Sequence, residues 1–196
     1  MRFPLNKFIA TLLLALLLTL VATSVSARIN TKTDPTLKQL VLEAINNSES
    51  FKDRYIAEVW LTDMSNRLRK RISDPDKRLH FLRLVHGEAN RANIPPELVL
   101  AVIDVESNFD QWAISRSGAQ GLMQIMPFWL NEIGRPNDNL LHPDTNLRLG
   151  CTILKYYIDM ERGDLRRALE RYNGSLGHRR YPDKVFSALR IRWFQQ

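Results

Sequence analysis

The chain is poor in cysteine and, after its first residues, in long apolar runs. One cysteine, Cys151, stands among 196 residues. An internal disulfide is therefore excluded, and an oxidising compartment would be tolerated without being exploited. With Leu147, Ile153 and Leu154 nearby, Cys151 is typical of a small core residue. No segment after Val25 is apolar enough over a sufficient length to cross a bilayer.

Sequence patterns for metal binding and for repeats are also absent. The four histidines show neither HExxH nor another ligand spacing, and no DxDxDG calcium loop occurs. The sequence therefore predicts no metal and no cofactor. No repeat or low-complexity run follows the N-terminal segment, and the composition is that of one globular domain with room for a small extension.

The first 27 residues have the pattern of an export signal. Arg2 and Lys7 give a positive start, an apolar stretch is centred on Leu12–Leu18, and the sequence VSA at 25–27 suits signal-peptidase cleavage. We therefore expect a signal peptide over 1–27 and a periplasmic protein. An uncleaved inner-membrane anchor is the alternative, because the apolar stretch reaches the lower length limit of a membrane span.

Positive charge exceeds negative charge over the chain as a whole. The net charge is +7, or +5 without residues 1–27, which carry two positive and no negative charges. This sign suits an anionic polymer, including nucleic acid or a membrane surface, so charge alone does not identify the partner. The basic run at 66–71 (NRLRKR) is more typical of a solvated helix face, and we predict no nucleic-acid partner.

Apolar residues recur at helical spacing through most of the chain. The spacing predicts helices over 36–47, 51–72, 97–106, 146–161 and 164–172, and a further helix opened by Asp74-Pro75. The segment 97–106 is apolar nearly all round, which predicts a buried helix. Strand patterns are unconvincing, although a short hairpin between Phe109 and Leu122 is compatible with the sequence. The predicted fold class is all-α.

Glu106 departs from its surroundings. It ends the most hydrophobic predicted helix, where a carboxylate gains nothing from the helix dipole. Desolvation and the negative helix end would both raise its pKa, as a general acid near neutral pH requires. The alternative is that Glu106 merely ends the helix and points to solvent.

Three sequence blocks carry a resemblance to a known family. They are VESNF at 105–109, GAQGLMQIMP at 118–127 and ALERYNG at 168–174. In this order they resemble the SLT domain of soluble lytic transglycosylases, a lysozyme-like fold related to goose-type lysozyme. The patterns of that family are Glu-Ser, then Gly-Leu-Met-Gln, then Ala followed at a short distance by Tyr-Asn. The resemblance covers about 95–177.

The resemblance implies an activity for Glu106. It would protonate the glycosidic oxygen between N-acetylmuramic acid and N-acetylglucosamine and then, as a base, take a proton from the muramic acid C6 hydroxyl. The product is a 1,6-anhydro end, and no second carboxylate is needed, unlike in ordinary glycosidases. Asp104 and Asp110 are the nearest candidates for a partner. Asp104, two positions before Glu106, points to a different side of the helix, which argues against a nucleophile role.

The same resemblance implies five substrate-binding positions. Ser115 would hydrogen-bond the catalytic carboxyl, although a turn-forming serine is the alternative. Gln124 and Met126 would line the sugar cleft through an amide and a thioether. Tyr172 and Asn173 would lie near the catalytic carboxyl, with plain packing as the alternative for Tyr172.

These expectations define one overall prediction. A helical extension over 28–89, including a short linker, precedes a lysozyme-like SLT catalytic domain over 90–196. The partner is the glycan strand of peptidoglycan, with cell-wall or secretion machinery as a further partner, and the protein is a monomer. A hydrolytic muramidase and a non-catalytic cell-wall-binding protein are the alternatives. Arg179 and Arg180 are hypothesised to touch peptide-stem carboxylates.

Overall fold

The computed structural model describes residues 35–46, 50, 51 and 53–194. The predicted signal peptide over 1–27 therefore lies outside the described residues. Within them the regular elements are helical, which confirms the all-α prediction. They are α1 (Pro35–Asn46), α2 (Arg54–Leu68), α3 (Pro75–Arg91), α4 (Pro96–Glu106), α5 (Trp129–Ile133), α6 (Pro143–Met160), α7 (Leu165–Tyr172), α8 (Arg180–Ala188) and a π-helical turn, Leu189–Trp193.

Several helices begin at an aspartate that caps them. The side chains of Asp53, Asp74 and Asp164 accept hydrogen bonds from backbone N–H groups in the first turns of α2, α3 and α7. These bonds satisfy donors that have no partner inside the helix. Pro75 follows Asp74 as the first residue of α3, as the sequence predicts.

Helix α4 is the most deeply buried element that the structure describes. Every residue from Leu98 to Asp104 is buried, which confirms the prediction drawn from its apolar sequence. Helices α3 and α8 and the π-helical turn pack against it. The helix therefore runs through the core and brings its last residue, Glu106, towards the surface.

The predicted extension shares this core. Trp60 of α2 is buried, and its indole N–H donates a 2.7 Å hydrogen bond to Glu97 Oε1 at the start of α4. Helix α3 packs against both α4 and α6. The predicted boundary at residue 90 falls inside α3, and it stays a prediction. In the described part of the chain, no helix combines the length and the apolar character that crossing a membrane requires.

The C-terminal helix α8 was not predicted. Its third residue is Pro182, which suggests a helix break when the sequence is read alone. In the first turn, however, a proline removes only an N–H that has no helical partner. Where the sequence allowed a short hairpin between Phe109 and Leu122, the structure has isolated antiparallel bridges. They join Ile114 with Gln120 and Gln120 with Ile125.

Candidate active site

Glu106 lines a surface cavity of about 460 Å³. The carboxyl is half-buried at the end of α4. The cavity wall opposite comes from the α7–α8 connection and from α8 itself. Its lining residues are Val105, Glu106, Asn173, Ser175, His178, Arg180, Tyr181 and Lys184. Among these residues, Glu106 is the one acid, so the cavity combines a single carboxyl with several cationic or neutral donors.

The protonation of Glu106 is shifted towards the neutral acid. Burial raises the pKa of Glu106 from 4.5 to about 7, while the Tyr181 hydrogen bond and the Lys184 charge act in the opposite direction. Desolvation is the largest of these effects because the carboxylate loses more hydration than the neutral acid does. A carboxyl with this pKa can both give and take a proton near neutral pH.

Tyr181 is the group that holds this carboxyl, and the sequence analysis missed it. Its hydroxyl donates a 2.6 Å hydrogen bond to Glu106 Oε1. Burial and the neighbouring Glu106 charge keep the pKa of the Tyr181 phenol well above its usual value, so the hydroxyl remains a donor. Tyr181 stands outside the three sequence blocks, between Arg180 and Pro182, and no sequence pattern singled it out.

A serine side chain fixes the start of the loop after α4. Ser107, the serine that follows Glu106, donates its hydroxyl to the carbonyl oxygen of Leu122 at 2.8 Å. This bond joins the end of α4 to the Gly-Leu-Met-Gln segment. The next residues, Asn108 and Phe109, both have positive φ angles, a conformation that non-glycine residues rarely adopt and that often accompanies functional sites.

Asn146 of α6 holds the Gly-Leu-Met-Gln segment from the other side. Its Oδ1 accepts from the Met123 N–H at 2.7 Å, and its Nδ2 donates to the carbonyls of Gln120 and Leu140. A Cβ atom on Gly121 would come within 2.3 Å of Asn146 Nδ2, and the φ angle of this glycine is +75°. Glycine is therefore required here by both space and backbone conformation. The sequence analysis did not single out Asn146.

The predicted binding residues separate into two groups. Asn173 lines the Glu106 cavity, whereas Ser115, Gln124, Met126 and Tyr172 are not among its lining residues. Tyr172 lies close enough for the Glu106 charge to help raise the pKa of its phenol, although burial is the larger cause. Its hydroxyl donates to the Met123 carbonyl at 2.8 Å, which supports the loop.

The hydrogen bonds of Ser115 and Gln124 are to the loop itself. Ser115 Oγ accepts from the Ala119 N–H at 3.0 Å and lies 3.1 Å from the Ser117 hydroxyl. These contacts match the turn-forming alternative, and no described hydrogen bond joins Ser115 to Glu106. Gln124 Nε2 donates to the carbonyls of Ala113 and Gly121. The binding roles of Ser115 and Gln124 stay predictions.

The Asp104 carboxylate is bound by other side chains of the protein. Its Oδ1 accepts from Arg71, and its Oδ2 accepts from Arg192 and from the Trp193 indole N–H. A carboxylate engaged by three donors is poorly suited to act as a nucleophile. Among the residues that the structure describes, no group of three or more histidine, cysteine or acidic side chains is placed to hold a metal ion.

Comparisons with known proteins find similarity to lytic transglycosylases. Proteins named membrane-bound lytic murein transglycosylase C from Yersinia pestis (strain Pestoides F) and Yersinia pseudotuberculosis serotype O:1b (strain IP 31758) are each 32% identical over 119 residues. Each match covers 52% of this chain but only 33% of the relative's length. Among solved structures, an inactive mutant of the lytic transglycosylase Slt from Pseudomonas aeruginosa is 24% identical, with a TM-score of 0.46, over 74% of this chain and 30% of that chain.

The family comparison is the one that covers most of the candidate site. The model described as the transglycosylase SLT domain matches residues 83–191. That range contains Glu106, Tyr181 and all three sequence blocks, and it is more than half of the chain. The chain therefore belongs to the transglycosylase SLT domain family.

Proposed function

We propose that the protein is a peptidoglycan lytic transglycosylase with Glu106 as its single catalytic acid and base. It cleaves the β-1,4 bond between N-acetylmuramic acid and N-acetylglucosamine and leaves 1,6-anhydromuramoyl ends. The observation that carries the proposal is one half-buried carboxyl with a pKa raised to about 7, in a cavity whose described lining holds no other acid. Family membership and the names of the relatives support the same activity.

The first step uses Glu106 as an acid. With a pKa of about 7, a large fraction of Glu106 is protonated near neutral pH. The proton passes to the glycosidic oxygen as its bond to muramic acid C1 breaks, and positive charge develops on the sugar ring. The Glu106 carboxylate that remains accepts the hydrogen bond from Tyr181, which stabilises its negative charge.

The second step uses the same carboxylate as a base. It takes the proton of the muramic acid C6 hydroxyl while that oxygen forms a bond to C1. The acid form of Glu106 is restored and no water is consumed. A retaining or inverting glycosidase would need a second carboxyl across the bond, and Asp104, the buried acid nearest in the sequence, is engaged by two guanidinium groups.

The remaining binding roles follow from chemistry and position. Asn173 is proposed to hydrogen-bond the sugar because it lines the cavity. Tyr172, Gln124 and Met126 are proposed to shape the sugar cleft through the loop that they support or belong to. The amide N–H groups of Gln124 donate to backbone carbonyls. Its side-chain oxygen is therefore the atom proposed to accept an N-acetyl N–H.

The proposed location follows from the substrate. A protein that cleaves peptidoglycan acts in the cell envelope, and we propose export to the periplasm by residues 1–27, with an uncleaved anchor as the alternative. The proposed partners are glycan strands and, beyond them, cell-wall or secretion machinery. We also propose that the protein is a monomer.

Mass spectrometry of soluble products from purified peptidoglycan tests the proposal. The protein is expected to release anhydromuramoyl ends, and the Glu106→Gln variant is expected to release none. Reducing muramic ends, heavier by one water, would identify a hydrolytic muramidase instead. Tight binding to peptidoglycan without products from the unaltered protein would identify a non-catalytic wall-binding protein.

A further inference from the structure

A second cavity continues from the one that holds Glu106. It has a volume of about 570 Å³ and shares Val105, Arg180 and Lys184 with the first cavity. From this shared boundary it extends along α8 to Ser187 and reaches the π-helical turn. A substrate whose scissile bond lies at Glu106 can therefore place a substituent in the second cavity.

The shared boundary carries two cations that form no ion pair with a described residue, although the Lys184 charge acts on the nearby Glu106. Arg180 and Lys184 are four positions apart on α8 and thus lie on one face of the helix. None of the ion pairs between described residues includes either of them. Both lie where an anionic group entering the second cavity would meet them.

The other charged residues of the second cavity already have partners. Asp183 accepts from Arg166 at 2.6 Å. Asp104 is paired with Arg71 and Arg192. Since these acids are compensated within the protein, they weaken the attraction of the cavity for an anion only in part.

We propose that the second cavity binds a carboxylate of the peptide carried by the muramic acid residue, through Arg180 and Lys184. This inference rests on the proposed function. The peptide is attached to the sugar whose C1 reacts at Glu106, and its acidic residues and C-terminus supply carboxylates. The Arg180 guanidinium matches the two oxygens of a carboxylate, and Lys184 adds a point charge one turn along the helix.

The structure separates Arg180 from its neighbour Arg179. Both were candidates for such a contact from the sequence, but only Arg180 lines the two cavities. Arg179 is exposed and precedes the first turn of α8. It has the same charge and nearly the same sequence position, so it provides a matched control.

The test is a selectivity ratio. We would measure kcat/KM on glycan strands whose peptides carry free carboxylates and on the same strands after those carboxylates are converted to amides. Arg180→Gln is expected to lower the ratio of the two values about tenfold, mainly through KM on the strands with free carboxylates. Arg179→Gln is expected to leave the ratio within about twofold of the original. An unchanged ratio in Arg180→Gln would overturn the proposal while leaving the transglycosylase activity intact.

A binding measurement keeps the inference independent of turnover. In the Glu106→Gln background, calorimetry with a soluble disaccharide-tetrapeptide compares the chain with and without Arg180→Gln or Lys184→Gln. Each added substitution is expected to weaken binding about tenfold, and the same ligand with its peptide carboxylates converted to amides is expected to bind all three proteins within about twofold. Equal affinities for the peptide-bearing ligand would reject the carboxylate site even if no substrate were cleaved.

Discussion

Two carboxyl groups two positions apart on α4 occupy opposite surroundings. The Asp104 side chain is 3% exposed and accepts hydrogen bonds from Arg71 and Arg192. A third bond comes from the Trp193 indole N–H at 2.9 Å. Glu106 lines a surface cavity, and one described side chain donates a hydrogen bond to it.

The difference comes from helix geometry. Two positions along an α-helix turn the side chain by about 200°, so neighbouring acids can face opposite sides of α4. Asp104 faces cations that compensate its charge and join α4 to the turn after α2 and to the π-helical turn. Burial alone therefore does not mark a catalytic acid. A buried acid whose charge the protein leaves largely uncompensated is the better candidate.

The largest effect on function is expected from Glu106→Gln. The amide has the same shape but cannot deliver or take the proton, so kcat is expected to fall by about 10³-fold or more. Release of anhydromuramoyl ends measures the loss. Asp110→Asn is the control, because Asp110 is exposed and its Oδ1 accepts from the Trp112 N–H without lining the cavity. Substantial turnover by Glu106→Gln would show that Glu106 is not the catalytic acid, and its difference from Asp104 would then not explain catalysis.

The largest effect on stability is expected from Asp104→Asn. The substitution leaves two guanidinium groups without their carboxylate, and because Arg71 and Arg192 are partly exposed, we expect a loss of about 2 kcal/mol. Urea unfolding measures this loss. In the matched control, Asp63→Asn removes the partner of Arg67 in a partly exposed pair on α2, and a loss below about 1 kcal/mol is expected. Similar losses in both variants would contradict the structural role of Asp104.

The sequence predicted the parts of the site that depend on local order. Helix α4, its burial and the position of Glu106 at its end all follow from a short apolar run that begins after Pro95-Pro96. Caps such as Asp74 follow from the same local chemistry. These features need only neighbours along the chain.

The parts that were missed depend on contacts between distant residues. Tyr181 meets Glu106 across 75 positions, and Asn146 meets Met123 across 23. Hydrogen-bond partners at such separations follow from how helices pack, which a single sequence does not reveal. Gln124 illustrates the same limit, because its amide N–H groups support the loop backbone, whereas the sequence suggested only a sugar contact.

An effect of similar size is expected in the pH dependence of stability. The pKa of Glu106 is raised from 4.5 to about 7 in the folded protein. Its favourable contribution to folding is therefore complete below pH 4.5 and is lost as pH rises through about 7. Since Glu106 is partly exposed, the loss is expected to be about 2 kcal/mol.

The Glu106→Gln variant tests this pH dependence. Its free energy of unfolding, minus that of the unaltered protein, should be about 2 kcal/mol larger at pH 8 than at pH 5. The same difference at both pH values would show that the carboxyl is not desolvated.

The smallest effect concerns the hydrogen bond from Tyr181. Tyr181→Phe removes the donor to Glu106 Oε1 but keeps the buried ring. A hydrogen bond to a charged group contributes about 1.5 kcal/mol or more, so kcat is expected to fall about tenfold. The pKa of Glu106 should rise above about 7, because this bond lowers it.

The pH profile distinguishes this role from simple packing. Activity needs protonated Glu106, so it should fall as pH rises through about 7 in the unaltered protein. Tyr181→Phe should move this alkaline fall to higher pH. Tyr172→Phe removes a hydroxyl that bonds Met123 instead and should leave the position of the fall unchanged. If both variants lost activity while the pH profile did not move, Tyr181 would support the shape of the cavity and would not stabilise the Glu106 carboxylate. The difference between Glu106 and Asp104 would then lie in their burial alone.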